Sequence, residues 1–312
     1  MTAMDIGIAL PNHREGASLE GMRAAADAAV RYGWRSIWAI DHLVVAKSEA
    51  ADYGWTLEPL ISLAYLGALY PTLRVATGVL VPPMRDAVQL AKELATLDNL
   101  LGPDRLIVGV GVGDEEDRAE YANLGKDDRF RKRGAYLDET IALWRHLWSG
   151  RTDPFVGTFN TLTDFTFDPL PVRRDDLLII SGGRSDRALT RVGRITDGFY
   201  ASRWGPAELR DRWPTMLATA HANGRKRPFL AARVRVKFET APGTTAAYSV
   251  CGTPERMADE LMAFALAGTN EFVAVLDATR PDDVTRLTAR FEREVVARFR
   301  EAWDRRPARS GI

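Results

Sequence analysis

The sequence is poor in several features that would settle a function early. It has one cysteine, Cys251, in 312 residues. That excludes an internal disulfide and any Cys-based metal or redox motif, and it fits a reducing cytoplasm. Net charge is absent, with 42 Lys plus Arg against 42 Asp plus Glu. Nucleic acid is therefore not the expected partner, because phosphate binding needs a basic footprint. Lysine is scarce, supplying only 6 of the 42 basic residues, so the positive charge is carried by arginine. No apolar run reaches the roughly 20 residues that cross a bilayer; Pro59–Leu73 comes nearest and is too short and too polar. Met1–Leu10 lacks the basic-then-apolar order of a signal peptide. Walker A, G-x-S-x-G and H-E-x-x-H motifs are missing. The histidines His13, His42, His146 and His221 do not cluster in sequence, so no metal site is expected.

What is present is a regular alternation. Eight Val/Ile/Leu-rich runs read as strands: Asp5–Leu10, Ser36–Ile40, Leu73–Val81, Arg105–Val112, Leu177–Ile180, Gly198–Ala201, Phe229–Phe238 and Phe272–Leu276. Between and after them lie amphipathic or proline-started runs that read as helices: Leu19–Tyr32, Pro59–Leu69, Asp86–Leu101, Phe130–Trp148, Asp186–Arg194, Pro206–Ala222, Pro254–Ala267 and Pro281–Trp303. Strands apolar on both faces suit a parallel sheet covered by helices. Eight such units in about 250–300 residues predict a (β/α)8 TIM barrel, with an open doubly wound sheet as the alternative. Ser149–Arg174, rich in Thr, Asp, Phe and Pro, interrupts the alternation and reads as an insertion after the fourth helix of a single domain covering 1–312.

A TIM barrel carries its active site at the C-terminal ends of its strands. The residues there are Asn12 and His13, then Asp41 and His42, Thr77-Gly78, Gly111-Val112-Gly113-Asp114, Ser181-Gly182-Gly183-Arg184, and Ser202-Arg203-Trp204. Ala241-Pro242-Gly243 and Cys251-Gly252 follow the seventh strand. Asp41-His42 is the sharpest pair, since a histidine titrates near neutrality and can move a proton. A helix-capping Asp beside a loop His is the plain alternative. Gly182-Gly183 precedes a helix start, where free backbone N–H groups bind phosphate; a glycine turn with φ > 0 is the alternative. Gly109, Gly111 and Gly113 do not match a dinucleotide fingerprint and read better as glycines that let a flat ring approach a strand. Trp38, Trp55 and Trp204 suit either an aromatic pocket or a core.

Taken in order, six segments resemble the coenzyme F420-dependent branch of the bacterial luciferase-like monooxygenase superfamily. They are SIWAIDH, RVATGVLVPPM, DRLIVGVGVGD, FRKRGAYLDETIALWRHLWSG, LLIISGGRSDRALTRVGRITDGF and CGTPERMADEL. The resemblance spans about residues 4 to 300. It implies a TIM barrel and hydride transfer between F420 and a small organic substrate, with FMN and O2 as the alternative. A non-catalytic cofactor-binding or lectin-like barrel is the competing class. The resemblance further implies that His42 is the acid/base, and that Asp114 stands where sugar-phosphate relatives have a catalytic Glu. It implies that Asp41, Gly78, Val79, Gly111, Val112, Gly113, Ser181, Gly182, Gly183, Arg184 and Ser202 bind the cofactor. Gly78-Val79 matches a non-prolyl cis peptide of the family. No Lys follows strand six, which speaks against a phosphosugar substrate. A cytoplasmic homodimer packing Pro59–Leu69 and Asp86–Leu101 is the expected assembly.

Overall fold

The computed structural model describes residues 3–238 and 248–306; the Ala241-Pro242-Gly243 stretch lies outside the described residues. The chain begins with β1 (Asp5–Ala9), α1 (Leu19–Arg31), β2 (Ser36–Ala39), α2 (Pro59–Leu69), β3 (Arg74–Thr77), α3 (Ala87–Leu101) and β4 (Leu106–Val110). Two short helices, α4 (Arg118–Asn123) and α5 (Asp127–Phe130), precede the long α6 (Arg133–Trp148). A small hairpin, β5 (Phe155–Val156) and β6 (Thr161–Leu162), follows. The remainder is β7 (Leu178–Gly182), α7 (Asp186–Arg191), β8 (Gly198–Ser202), α8 (Pro206–Ala222), β9 (Phe229–Lys237), β10 (Ser249–Cys251), α9 (Pro254–Leu266), β11 (Glu271–Leu276), α10 (Pro281–Phe291) and α11 (Ala297–Asp304).

Strands β1, β2, β3, β4, β7, β8, β9 and β11 pair in parallel and close through β8–β9 and β11–β1. The fold is therefore the expected (β/α)8 barrel. The short β10 adds to the outer half of β9, pairing Ser249–Cys251 with Arg235–Lys237. Local chemistry explains the element ends. Ser18 caps α1 by accepting from the Gly21 N–H, Asp86 caps α3 through Gln89, and Thr253 caps α9 through Arg256. Pro starts α2, α8, α9 and α10, where its missing N–H has no bond to lose.

Side chains alternate between two apolar layers. One small cluster fills the barrel: Trp38, Ala76, Ile107, Ile180, Tyr200, Ala231 and Val273. The larger one, including Ile37, Val75, Val108, Ile179, Phe199 and Val234, joins the strands to the helices. Trp38 stacks on Tyr200 with ring centroids 5.2 Å apart. At the barrel's floor the buried Glu271 accepts from Ser36 Oγ and, at 2.9 Å, from Trp38 Nε1. Trp204 is buried in the outer layer and Trp55 is exposed, so only Trp38 of the three tryptophans lies inside the barrel. The interrupting segment is tied to α6 by Glu139, whose carboxylate accepts the N–H groups of Thr158, Phe159 and Asn160 in the hairpin turn. Among the described residues no helix is long and apolar enough to cross a membrane.

Candidate active site

Strand β2 ends in Asp41 and His42 at the barrel mouth, and the two side chains do different work. Asp41 is buried. Its Oδ2 accepts from the Val81 N–H and from Arg85 Nε, each at 3.0 Å, and its Oδ1 accepts from Arg85 Nη2 at 2.5 Å. Arg85 reaches on to Glu58 at 3.0 Å. Through these bonds Asp41 clamps the chain leaving β3. That chain contains a cis peptide between Gly78 and Val79, as the resemblance implied. Gly78 sits against Tyr200 and Trp38 so closely that a Cβ would collide with the Tyr200 hydroxyl.

His42 is half-buried, and its Nδ1 lies 3.0 Å from Oε2 of Glu120 on α4. Glu120 is 1% exposed. Its Oε1 accepts from the Leu43 and Val44 N–H groups, the latter at 2.9 Å. Burial pulls the His42 imidazole down, but the hydrogen bond and charge of Glu120 outweigh it, and the net shift is upward. Burial pushes the Glu120 carboxyl up, while His42 and the two backbone donors bring it below its ordinary value. An ionised Glu120 can only accept, so Nδ1 carries a proton and Nε2 is left to exchange one. Tyr53, from the loop after β2, stacks on the imidazole with centroids 4.2 Å apart and lies 5.7 Å from His13. His13 is held neutral near pH 7, its pKa lowered to about 4 chiefly by burial.

Asp114 does not take the position expected of it. Its side chain is exposed, and its N–H donates to Asp117 Oδ2 at 2.7 Å. Asp117 and Glu120 are the carboxylates that gather with His42, their ligand atoms lying within 4.8 Å of one another. Glu120 escaped the sequence reading because α4 is only six residues long and lies in a strongly charged run, DEEDRAEYANLGKDDRF. The available signal was apolar Tyr121, Leu124 and Phe130 within that run, which mark a buried face; Tyr121 and Phe130 join Val81 and Met84 in a small cluster.

The glycines of β4 serve the strands themselves. A Cβ at Gly109 would strike the Thr77 carbonyl, and one at Gly111 would lie 2.8 Å from Val79 Cγ2. Both glycines thus admit the close approach of the chain leaving β3. The Val112 carbonyl accepts from the Tyr121 hydroxyl at 2.8 Å, and Gly113 turns the chain with φ +72°.

Near the end of β7, Ser181 points outward and meets Thr196 Oγ1 at 3.1 Å. A Cβ at Gly182 would rest in ordinary contact with Tyr200, and Gly183 has φ +134°. The N–H groups of Gly183, Arg184 and Ser185 have no acceptor among the described residues. Of the three arginines in this segment, Arg184, Arg187 and Arg191, two are paired within the fold. Arg184 pairs with Glu208 at 2.6 Å and covers Trp204, while the buried Arg191 pairs with Asp138 at 2.5 Å. Ser202 ends β8 partly buried, beside Arg203 at φ +67°. Asn12 bridges loops by donating to the Ile40 and Leu57 carbonyls, each at 3.0 Å. His146 meets the Asp153 carbonyl at 2.9 Å, as a structural histidine would.

The chain matches the family model described as luciferase-like monooxygenase over residues 4–248. It is 29% identical over 202 residues to the F420-dependent hydroxymycolic acid dehydrogenase of Mycobacterium tuberculosis, covering 64% of this chain and 52% of that one. It is 30% identical over 194 residues to the F420-dependent glucose-6-phosphate dehydrogenase of Amycolatopsis mediterranei, covering 61% and 56%. In both cases the match spans little more than half of the relative's length. Among solved structures, an F420-dependent secondary alcohol dehydrogenase in complex with an F420-acetone adduct superposes with a TM-score of 0.78 at 17% identity, covering 95% of this chain and 99% of that one. At that identity the likeness speaks for the fold.

Proposed function

Because the chain belongs to the luciferase-like monooxygenase family, we propose that it is an F420-dependent oxidoreductase acting on a small organic substrate. The observation that carries this reading is His42, tied through Nδ1 to the buried Glu120 and left with Nε2 for proton exchange. The residues around it fit such a cofactor. The unaccepted N–H groups of Gly183 and Arg184 suit its phosphate, with Gly182 and Ser202 beside them. The Gly78-Val79 backbone, backed by Tyr200 and Trp38, and the Gly111–Gly113 turn would bound the ring. When bound, the deazaflavin supplies hydride transfer. The chain's own part is to hold the reactants, to exclude water with Tyr53 and its loop, and to move one proton at His42 Nε2.

Fluorescence titration of the cofactor-free protein tests the assignment. F420 should bind and FMN should not; tight binding of FMN alone would move the protein to the oxygen-using branch. His42→Ala should keep F420 affinity and lose about 10²–10⁴-fold in kcat, the usual contribution of a general acid or base. Full turnover in that variant would remove His42 from the chemistry.

The expected homodimer is supported by Ile61, Tyr65 and Leu69, exposed at four-residue spacing along α2, and by Leu100 on α3. Ile61→Glu should shift sedimentation toward monomer, and an unchanged sedimentation coefficient would place the interface elsewhere.

A further inference from the structure

The wall of the mouth formed by β8 and β9 carries a cation whose needs the fold does not meet. Phe229 and Ala231 of β9 pack in the barrel's inner cluster, while Leu230, Ala232, Val234 and Val236 face the helices. By the same alternation Arg233 points inward, one step above Ala231 toward the mouth. It is half-buried, and its Nε is shielded from solvent with no hydrogen-bond partner. Among the described residues it has no carboxylate partner. Other arginines around the mouth do: Arg85 has Asp41, Arg14 has Asp277, and Arg184 has Glu208. Asp277, the acid at the end of the adjacent β11, is thus already engaged.

Arg233, level with the end of β8, and His42, just after β2, stand at the same C-terminal end of the barrel. Burial lowers His13 and raises Tyr200, and the Arg233 charge adds a downward pull at each. His13 neighbours Tyr53, which in turn stacks on His42. Ser202 is the register partner of Arg233 on β8 and brings a hydroxyl donor beside it. An Nε–H held out of water with no acceptor is costly unless an anion completes it.

We propose that Arg233 is the anion-recognition residue of the substrate pocket, so that the substrate is a small molecule bearing a carboxylate or phosphate gripped across the mouth from His42. The term substrate rests on the function proposed above; the anion site itself does not. Arg233 would replace the lysine missing after strand six as the source of positive charge, from a different strand and deeper in the barrel.

Calorimetric titration of the cofactor-free protein with oxalate and with inorganic phosphate, at ionic strength fixed with sodium chloride, tests this and separates the two anion classes. Wild type should bind one of them. Arg233→Met should weaken that binding at least about tenfold, and Arg233→Lys, which keeps charge but loses the planar fork, should fall between. Arg210→Ala, exposed on α8, should bind as wild type does. Far-UV circular dichroism confirms that each variant is folded, and Arg233→Met should keep F420 affinity within about threefold while losing the anion. The proposal is overturned if wild type binds neither anion, if Arg233→Met binds as wild type does, or if it loses F420 in proportion to the anion. Wild type that binds the anion but not F420 would sustain Arg233 and remove the cofactor assignment instead.

Discussion

The two ends of the barrel show opposite relations between space and chemistry. Below the N-terminal ends of β3, β4, β7 and β8 lies a cavity of about 670 Å³. It is rich in charge, and apart from the buried Arg74 Nε and Asp98 Oδ1, which have no hydrogen-bond partner among the described residues, most of that charge is matched. Asp197 takes Arg145 and Arg225, each at 2.5 Å, Arg173 pairs with Asp104, and Arg194 lies 3.7 Å from Asp138. At the C-terminal mouth the groups are fewer but incompletely matched. His42 has one nitrogen engaged and one free, the N–H groups after Gly182 lack acceptors, and Arg233 lacks an anion. Ion pairs that satisfy each other hold a fold together, whereas a ligand is attracted by what the fold leaves over.

The largest effect expected from breaking this contrast comes at the mouth. Glu120→Gln removes the charge that raises His42 and turns an amide N–H toward Nδ1, favouring the wrong tautomer. We expect kcat to fall about 10–100-fold, within the range for loss of a group that orients an acid or base. The His42 pKa should drop below its wild-type value, because burial then acts with little opposition. The pH limb that follows His42 should move to lower pH, and an NMR titration of the ring protons reads the same shift independently of turnover. The sign for stability follows from the two shifts. His42 is raised, so its contribution is present below its unfolded value and fades as pH rises through the folded one. Glu120 is lowered, so its contribution is present above its unfolded value and is lost as pH falls through the folded one. The stability deficit of Glu120→Gln should therefore peak between those limits. A variant with wild-type kcat and an unmoved His42 would reduce Glu120 to a loop anchor for Leu43 and Val44.

The barrel was legible because its signal is repetitive. Most barrel strands are buried on both faces and read as short Val/Ile/Leu runs, β8 with its Phe-Tyr pair being the exception, and proline or a capping Ser, Thr or Asp marks most helix starts. The short β10 was not legible. Its three residues carry no period, and it exists only because the outer half of β9 offers a free edge. At the candidate site, the sequence singled out the strand ends but not which side chains turn to each other. Asp41 and His42 are adjacent in sequence, yet one closes on Arg85, 44 residues on, and the other on Glu120, 78 residues on. Ser181 and Arg184 looked like phosphate ligands by position, and the strand alternation and Glu208 direct them elsewhere. Arg233 was visible only as one member of a strand, since its isolation is a property of everything packed around it.

The smaller effect, and the sharper test of the contrast, lies at the other end. Asp197 opens β8 within the Thr-Asp-Gly triplet that the resemblance picked out. Its carboxylate holds Arg145 and Arg225 and accepts the Ile179 N–H at 2.8 Å, tying the starts of β7 and β8 to α6 and to the chain entering β9. Asp197→Asn keeps the shape but removes the charge that both guanidiniums face. The three groups are partly exposed, so solvent screens the loss, and about 1–3 kcal/mol of stability is expected to go. Urea unfolding would show this as a lower midpoint with an unchanged slope, while kcat and F420 affinity stay within about twofold of wild type because the mouth is untouched. If instead catalysis fell with stability intact, the cavity at the floor would be part of the working site, and the division between a matched end and an unmatched end would fail.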